Sequence, residues 1–138
     1  IIPIGLADVK KTGTDVTLVS FGKIMKLVLE AADKLAEEGI SAEVIDLRTV
    51  RPIDYSTIIE SVKKTNRIVI IEEAWPLASI STDIAFNVQK DAFDYLDAPV
   101  KRVCTADVPM AYAPTLVEEF MPKLSTIIEE VKSVMYVK

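Results

Sequence analysis

At 138 residues the chain fits one domain with a full core, and a domain of that size buries roughly two-thirds of the surface its unfolded form exposes. A net charge of −5 and an isoelectric point near 4.8 argue against nucleic acid or an anionic membrane as partner, because phosphate attachment needs clustered Lys and Arg. The absence of histidine rules out Ser-His-Asp and Cys-His catalytic units, and a single cysteine (Cys104) rules out an internal disulfide and argues against a zinc or copper site.

Ile1 to Gly5 reads as a lead-in linker broken by Pro3 and Gly5. The chain opens on Ile1 without methionine, which is read as a missing upstream part or a processed product. Ala7 to Lys11 fits a short edge strand. After Thr12-Gly13-Thr14, the β-branched run Asp15 to Ser20 fits a second strand, and so short a turn predicts that the two are antiparallel neighbours. Gly22 opens a helix whose apolar face is Ile24, Leu27, Val28, Ala31, Ala32 and Leu35. Glu30 and Lys34 pair on its outer side, and Gly39 terminates it.

Ser41 to Leu47 is the next strand. Asp54 is a natural N-cap for a helix with Ile58, Ile59 and Val62 inward. Arg67 to Ile71 is the clearest strand in the sequence. Its four consecutive apolar residues predict a central parallel strand buried on both faces. Ser79 or Ser81 caps a helix carrying Ile84, Ala85 and Val88. Val100 to Thr105 is predicted as a strand that includes Cys104, Pro114 opens another helix, and a last helix runs from Pro122 with a long apolar stripe. Strands alternating with helices at this spacing predict one three-layer α/β domain over 1–138. Its sheet is mostly parallel, with about five strands, one antiparallel edge strand and helices on both faces.

Half the residues are apolar and the mean hydropathy is +0.30, high for a chain that is 27% charged. Either the core is unusually full, or part of the surface meets other subunits. No apolar run approaches the roughly 20 residues of a membrane span, and no signal peptide is visible.

Three candidate chemistries are open to these residues. Glu72, Glu73 and Asp107 fall near the carboxyl ends of predicted strands, where open α/β sheets bind ligands. A receiver-type magnesium and phosphoacceptor site would need further acids where Ser20-Phe21-Gly22 stands, so solvated carboxylates are the favoured reading. The four glycines are too dispersed for a phosphate loop. Arg48 and Arg51 could clamp an anion or pair with Glu72, Glu73 or Asp54, and the pairing is favoured. Trp75 is either an interface anchor or core, and the apolar loop Ala106 to Ala113, with Val108, Pro109, Met110 and Tyr112, is expected to pack against something.

The segments SAEVIDLRTVRPID, KTNRIVIIEEAWP and LDAPVKRVCTADVPMAYAP occur in this order. They resemble the carboxyl-terminal domain of the beta subunits of thiamine-diphosphate-dependent 2-oxo acid dehydrogenases, the pyruvate enzyme above all, a domain type shared with transketolase. The resemblance covers essentially the whole chain. It implies a piece of a longer beta subunit in an alpha2-beta2 enzyme that binds thiamine diphosphate and magnesium outside these residues. It further implies that this domain packs against the second beta subunit and helps dock the peripheral subunit-binding domain of the dihydrolipoyl acetyltransferase, while binding no cofactor and performing no catalysis alone. The docking residues implied are Asp97 and the terminal Lys138. The subunit interface expected is Trp75 with Val108, Pro109, Met110 and Tyr112.

The same domain of a branched-chain 2-oxo acid or acetoin dehydrogenase is the nearest alternative. A free-standing flavodoxin-like binding or signalling module is the alternative of another class. The location implied is a bacterial cytoplasm, which is favoured, or a mitochondrial matrix. One departure from the resemblance stands out: after Trp75-Pro76 the family pattern is glycine-containing, whereas this chain has Leu77-Ala78-Ser79-Ile80-Ser81.

Overall fold

A computed structural model describes residues 1–137, so Lys138 lies outside the described residues. Five strands, β1 (Asp8–Lys11), β2 (Val16–Ser20), β3 (Ala42–Asp46), β4 (Ile68–Ile71) and β5 (Lys101–Val103), form one sheet in the order β1-β3-β2-β4-β5. β3, β2, β4 and β5 run parallel, and β1 lies antiparallel on the edge. The five helices are α1 (Met25–Glu37), α2 (Tyr55–Thr65), α3 (Ile80–Ala92), α4 (Pro114–Phe120) and α5 (Leu124–Met135).

Strand alternation sorts the core into two faces. Leu18, Val44, Val69 and Ile71 pack with α1 and α5, while Val19, Ile45, Ile68 and Ile70 pack with α2 and α3. The sheet is therefore covered on both sides. This explains why β2 and β4 are buried at every position rather than alternating polar and apolar. Among the described residues, no helix is long and apolar enough to cross a membrane.

The expected local signals hold in the structure. The Asp54 side chain accepts from the Thr57 amide at 3.1 Å and also fastens the lead-in through the Ala7 amide at 3.0 Å. Gly39 takes a left-handed φ of +83° just past α1, and Glu30 faces Lys34 at 3.8 Å on the outer side of that helix.

Three expectations are corrected. β1 does not pair with β2. β3 lies between them, because residues 12–15 step across the start of β3 instead of folding back. The Thr14 and Asp15 amides donate to the Ser41 carbonyl at 3.1 and 2.9 Å, which anchors the crossing. Cys104 lies one residue beyond β5, which is only three residues long. Arg48 pairs with Asp8 at 2.5 Å rather than with Glu72, Glu73 or Asp54, because the β1 edge lies beside β3 and brings Asp8 within reach.

Glu43 on β3 is a buried carboxylate that bonds the Lys64 ammonium and accepts from the Gly13 amide at 3.3 Å. Burial pushes its carboxyl up, but the bonds from Lys64, Ser61 and Gly13 outweigh that and hold it below its usual value of 4.5. A depressed folded-state value means a stabilising contribution that is present above pH 4.5 and is lost as pH falls through the folded value. Melting temperature is thus expected to drop as pH is lowered below 4.5, and less steeply in Glu43→Gln. Parallel slopes in the two proteins would remove Glu43 from the acid sensitivity.

Candidate functional site: two surfaces at opposite ends of one helix

The connection after β2 runs to β3 on one side, and the connection after β3 returns past β2 to β4 on the other. The crevice past the carboxyl ends of β2 and β4 is where open α/β sheets place ligands. Here a groove of about 330 Å³ has Lys23 and Lys26 on one wall, Glu73 on the other, and Ile24, Leu27 and Met121 between.

Its neighbour Glu72 is fully buried and turned away from solvent. The Glu72 carboxylate accepts from the Ser81 hydroxyl, from the Ser81 amide at 3.2 Å and from the Cys104 thiol at 3.6 Å. Burial pushes the Cys104 thiol up, and the adjacent Glu72 charge adds to that, so Cys104 is held as a neutral thiol. Asp107 is exposed on the 106–113 loop. Glu72 thus has its oxygens engaged by protein donors. Among the described residues, no group of three or more His, Cys, Asp or Glu side chains is placed to hold a metal ion. So engaged, the Glu72 carboxylate is not free to ligate a cation.

The surface that starts at Glu72 is apolar. Trp75 is 52% exposed, and its indole nitrogen donates to the Val108 carbonyl at 3.0 Å, joining the 74–79 segment to the 106–113 loop. Core packing for Trp75 is overturned, since about half of the residue is exposed at the surface. Leu77, Val108, Met110, Tyr112 and Leu116 are exposed too, and Pro109 lies in the same loop.

Ala78 adopts a left-handed φ of +53°, where the resemblance led one to expect glycine. An L-residue pays about 1 kcal/mol or more there, partly offset by the greater unfolded-state freedom of glycine. Ala78→Gly is expected to stabilise the chain by roughly 0.5 kcal/mol, read from the midpoint of urea unfolding. A lower midpoint would contradict the assigned conformation.

Asp97 sits at the other end of α3, about 20 Å away along that helix axis. Its amide donates to the Asn66 carbonyl at 2.9 Å, its carbonyl accepts from the Tyr136 hydroxyl at 3.2 Å, and its carboxylate lies 3.6 Å from the Arg67 guanidinium while remaining 57% exposed. Beside it is a groove of about 550 Å³ lined by Ala85, Phe93, Leu96, Pro99 and Tyr136. The structure therefore brings Asp97 together with the carboxyl-terminal segment through Tyr136. Lys138 itself is outside the described residues.

Sequence reasoning missed Phe86 and Phe93, which are both exposed. They lie seven residues apart, on one helical face and out of phase with buried Ile84 and Val88, so the register alone could have flagged them. Arg102 was missed as well. Its guanidinium donates to the Pro76 carbonyl at 2.8 Å, the Ser81 hydroxyl at 3.2 Å and the Thr82 hydroxyl at 2.8 Å.

A mostly parallel five-stranded sheet with one antiparallel edge and helices on both faces defines a three-layer α/β domain. The sequence profile of the family described as transketolase, C-terminal domain, matches residues 5–127, and the chain belongs to that family. It is 50% identical over 134 residues to the mitochondrial pyruvate dehydrogenase E1 component subunit beta of Dictyostelium discoideum, covering 97% of this chain and 38% of that protein. It is 52% identical over 137 residues to the pyruvate dehydrogenase E1 component subunit beta of Rickettsia bellii, covering 99% and 42% respectively. A solved structure described as a split-gene transketolase, inactive beta4 tetramer, superposes with a TM-score of 0.87 at 29% identity, over 99% of this chain and 44% of that one. The chain thus spans well under half the length of these relatives.

Proposed function

We propose that this chain is the carboxyl-terminal assembly and docking domain of a longer beta subunit in a thiamine-diphosphate-dependent 2-oxo acid dehydrogenase, most closely the pyruvate enzyme. The observation that carries the reading is identity of about half along nearly all of the chain to pyruvate dehydrogenase E1 beta subunits. The complete enzyme would oxidatively decarboxylate pyruvate and transfer the acetyl group to lipoyl arms. Thiamine diphosphate and magnesium would be held by the alpha subunit and the preceding part of beta. The engaged Glu72 carboxylate and the mixed charges of the neighbouring groove support that division.

In this reading Trp75, Val108, Pro109, Met110 and Tyr112 meet a neighbouring subunit. A second copy of the beta subunit is favoured, because the transketolase similar over the whole chain is described as a beta4 tetramer. Asp97 receives basic groups of the acetyltransferase's peripheral subunit-binding domain. The alpha subunit completes the heterotetramer. A bacterial cytoplasm is the favoured location, with the mitochondrial matrix the other; the relatives include both bacterial and mitochondrial proteins.

The test is decarboxylation of pyruvate by the purified chain supplied with thiamine diphosphate and magnesium. No carbon dioxide release above background is expected, and full activity is expected when a complete subunit containing this sequence is combined with an alpha subunit. Turnover by the chain alone would overturn the reading.

A further inference from the structure

The segment from Ala74 to Thr82 holds an energetically awkward geometry. It places Trp75 and Leu77 in solvent and Ala78 in the left-handed region. Exposed apolar side chains do not order a loop, and the Trp75 to Val108 bond joins it only to another surface loop. The order must come from beneath.

Two charged side chains supply it from two directions. Glu72, fully buried at the end of β4, accepts from both the amide and the hydroxyl of Ser81. This caps the first turn of α3 from a distance, where Ser79 at the N-cap makes no side-chain bond to the helix backbone. Arg102, from β5, spans the segment with one nitrogen, reaching Pro76 at one end and Ser81 and Thr82 at the other. Bonds with a charged partner are about twice as strong as neutral ones, and both side chains project from the sheet, the stiffest part of the fold.

We propose that Glu72 and Arg102 are positioning residues for assembly: together they set the 74–82 segment, and through it the Trp75 indole, in the geometry that a second copy of this chain meets. This rests on the subunit-interface reading above. Trp75, Leu77, Val108, Met110 and Leu116 give this surface exposed apolar area that a second copy can cover. A surface ordered in advance loses less side-chain and loop freedom on association.

The chain contains a single tryptophan, so its fluorescence reports on this segment alone. The experiment measures acrylamide quenching of Trp75 in the wild-type chain, Arg102→Met and Glu72→Gln, and self-association by sedimentation equilibrium in these and in Trp75→Ala. Val131→Ala, a cavity in the buried face of α5, serves as a variant destabilised for an unrelated reason. Arg102→Met and Glu72→Gln are expected to raise the quenching constant about twofold as the segment loosens, and to weaken self-association roughly tenfold. Val131→Ala is expected to lower the melting temperature without moving the quenching. Wild-type quenching in both Arg102→Met and Glu72→Gln overturns the positioning role. Raised quenching in Arg102→Met and Glu72→Gln, with wild-type self-association there and in Trp75→Ala, overturns the interface reading beneath it.

Discussion

Replacing Gly13 with alanine is expected to destabilise the chain by about 3 kcal/mol, at the upper end of what overpacking usually costs. The chain crosses the start of β3 at Gly13, and a Cβ there would stand 2.2 Å from the Ala42 carbonyl carbon and 2.3 Å from the Glu43 nitrogen. Both are backbone atoms of a strand paired on each side, so neither can give way without breaking the ladder. The shift would also pull the Gly13 amide from the Glu43 carboxylate. Gly39→Ala is the comparison: its φ is +83°, but a Cβ there meets nothing within 4 Å. It should cost only about 1 kcal/mol, the ordinary left-handed penalty. Urea unfolding of the two variants separates the cases, and equal midpoints would refute the close crossing.

Asp97→Lys is expected to weaken capture of the acetyltransferase's subunit-binding domain by the complete enzyme by about 2 kcal/mol, roughly thirtyfold. The estimate sits at the low end for a charge at an interface because Asp97 is more than half exposed. Its pair with Arg67, at 3.6 Å, is a surface contact worth under about 1 kcal/mol, so folding stability should barely change. The difference between variant and wild type should shrink as salt rises, since exposed charges are screened. Calorimetric titration at low and high salt tests both statements. Undiminished affinity at low salt would remove Asp97 from the docking surface.

Much of the fold was legible because local chemistry and the final environment agree. Ile68 to Ile71 reads as a doubly buried strand and is one, and Asp54 caps α2 as its position predicts. The lateral order of the strands was less accessible. A short connection between β1 and β2 says how far the chain can travel, but not whether another strand lies between. The clue was Gly13, the one residue type that tolerates a backbone passing so close.

The candidate surfaces divide in the same way. Asp97 was reached through resemblance and Trp75 as an aromatic in a loop, whereas the roles of Glu72 and Arg102 depend on the fold. Glu72 and Glu73 are adjacent and look equivalent in sequence. One turns into the protein against Ser81 and the other lines an open groove, because successive side chains leave a strand end on opposite sides. Arg102 finds its partners 20 to 26 residues away, beyond the reach of any local pattern.

The two borders of the sheet have a further consequence. β5 offers only three residues, among them Lys101 and Arg102, and β1 carries Lys10 and Lys11 across a register break between Val9 and Lys11. Short, cationic, irregular margins are poor templates for an incoming strand. Copies of this chain are thereby steered away from fibril-like, edge-to-edge growth even though their apolar loops are exposed.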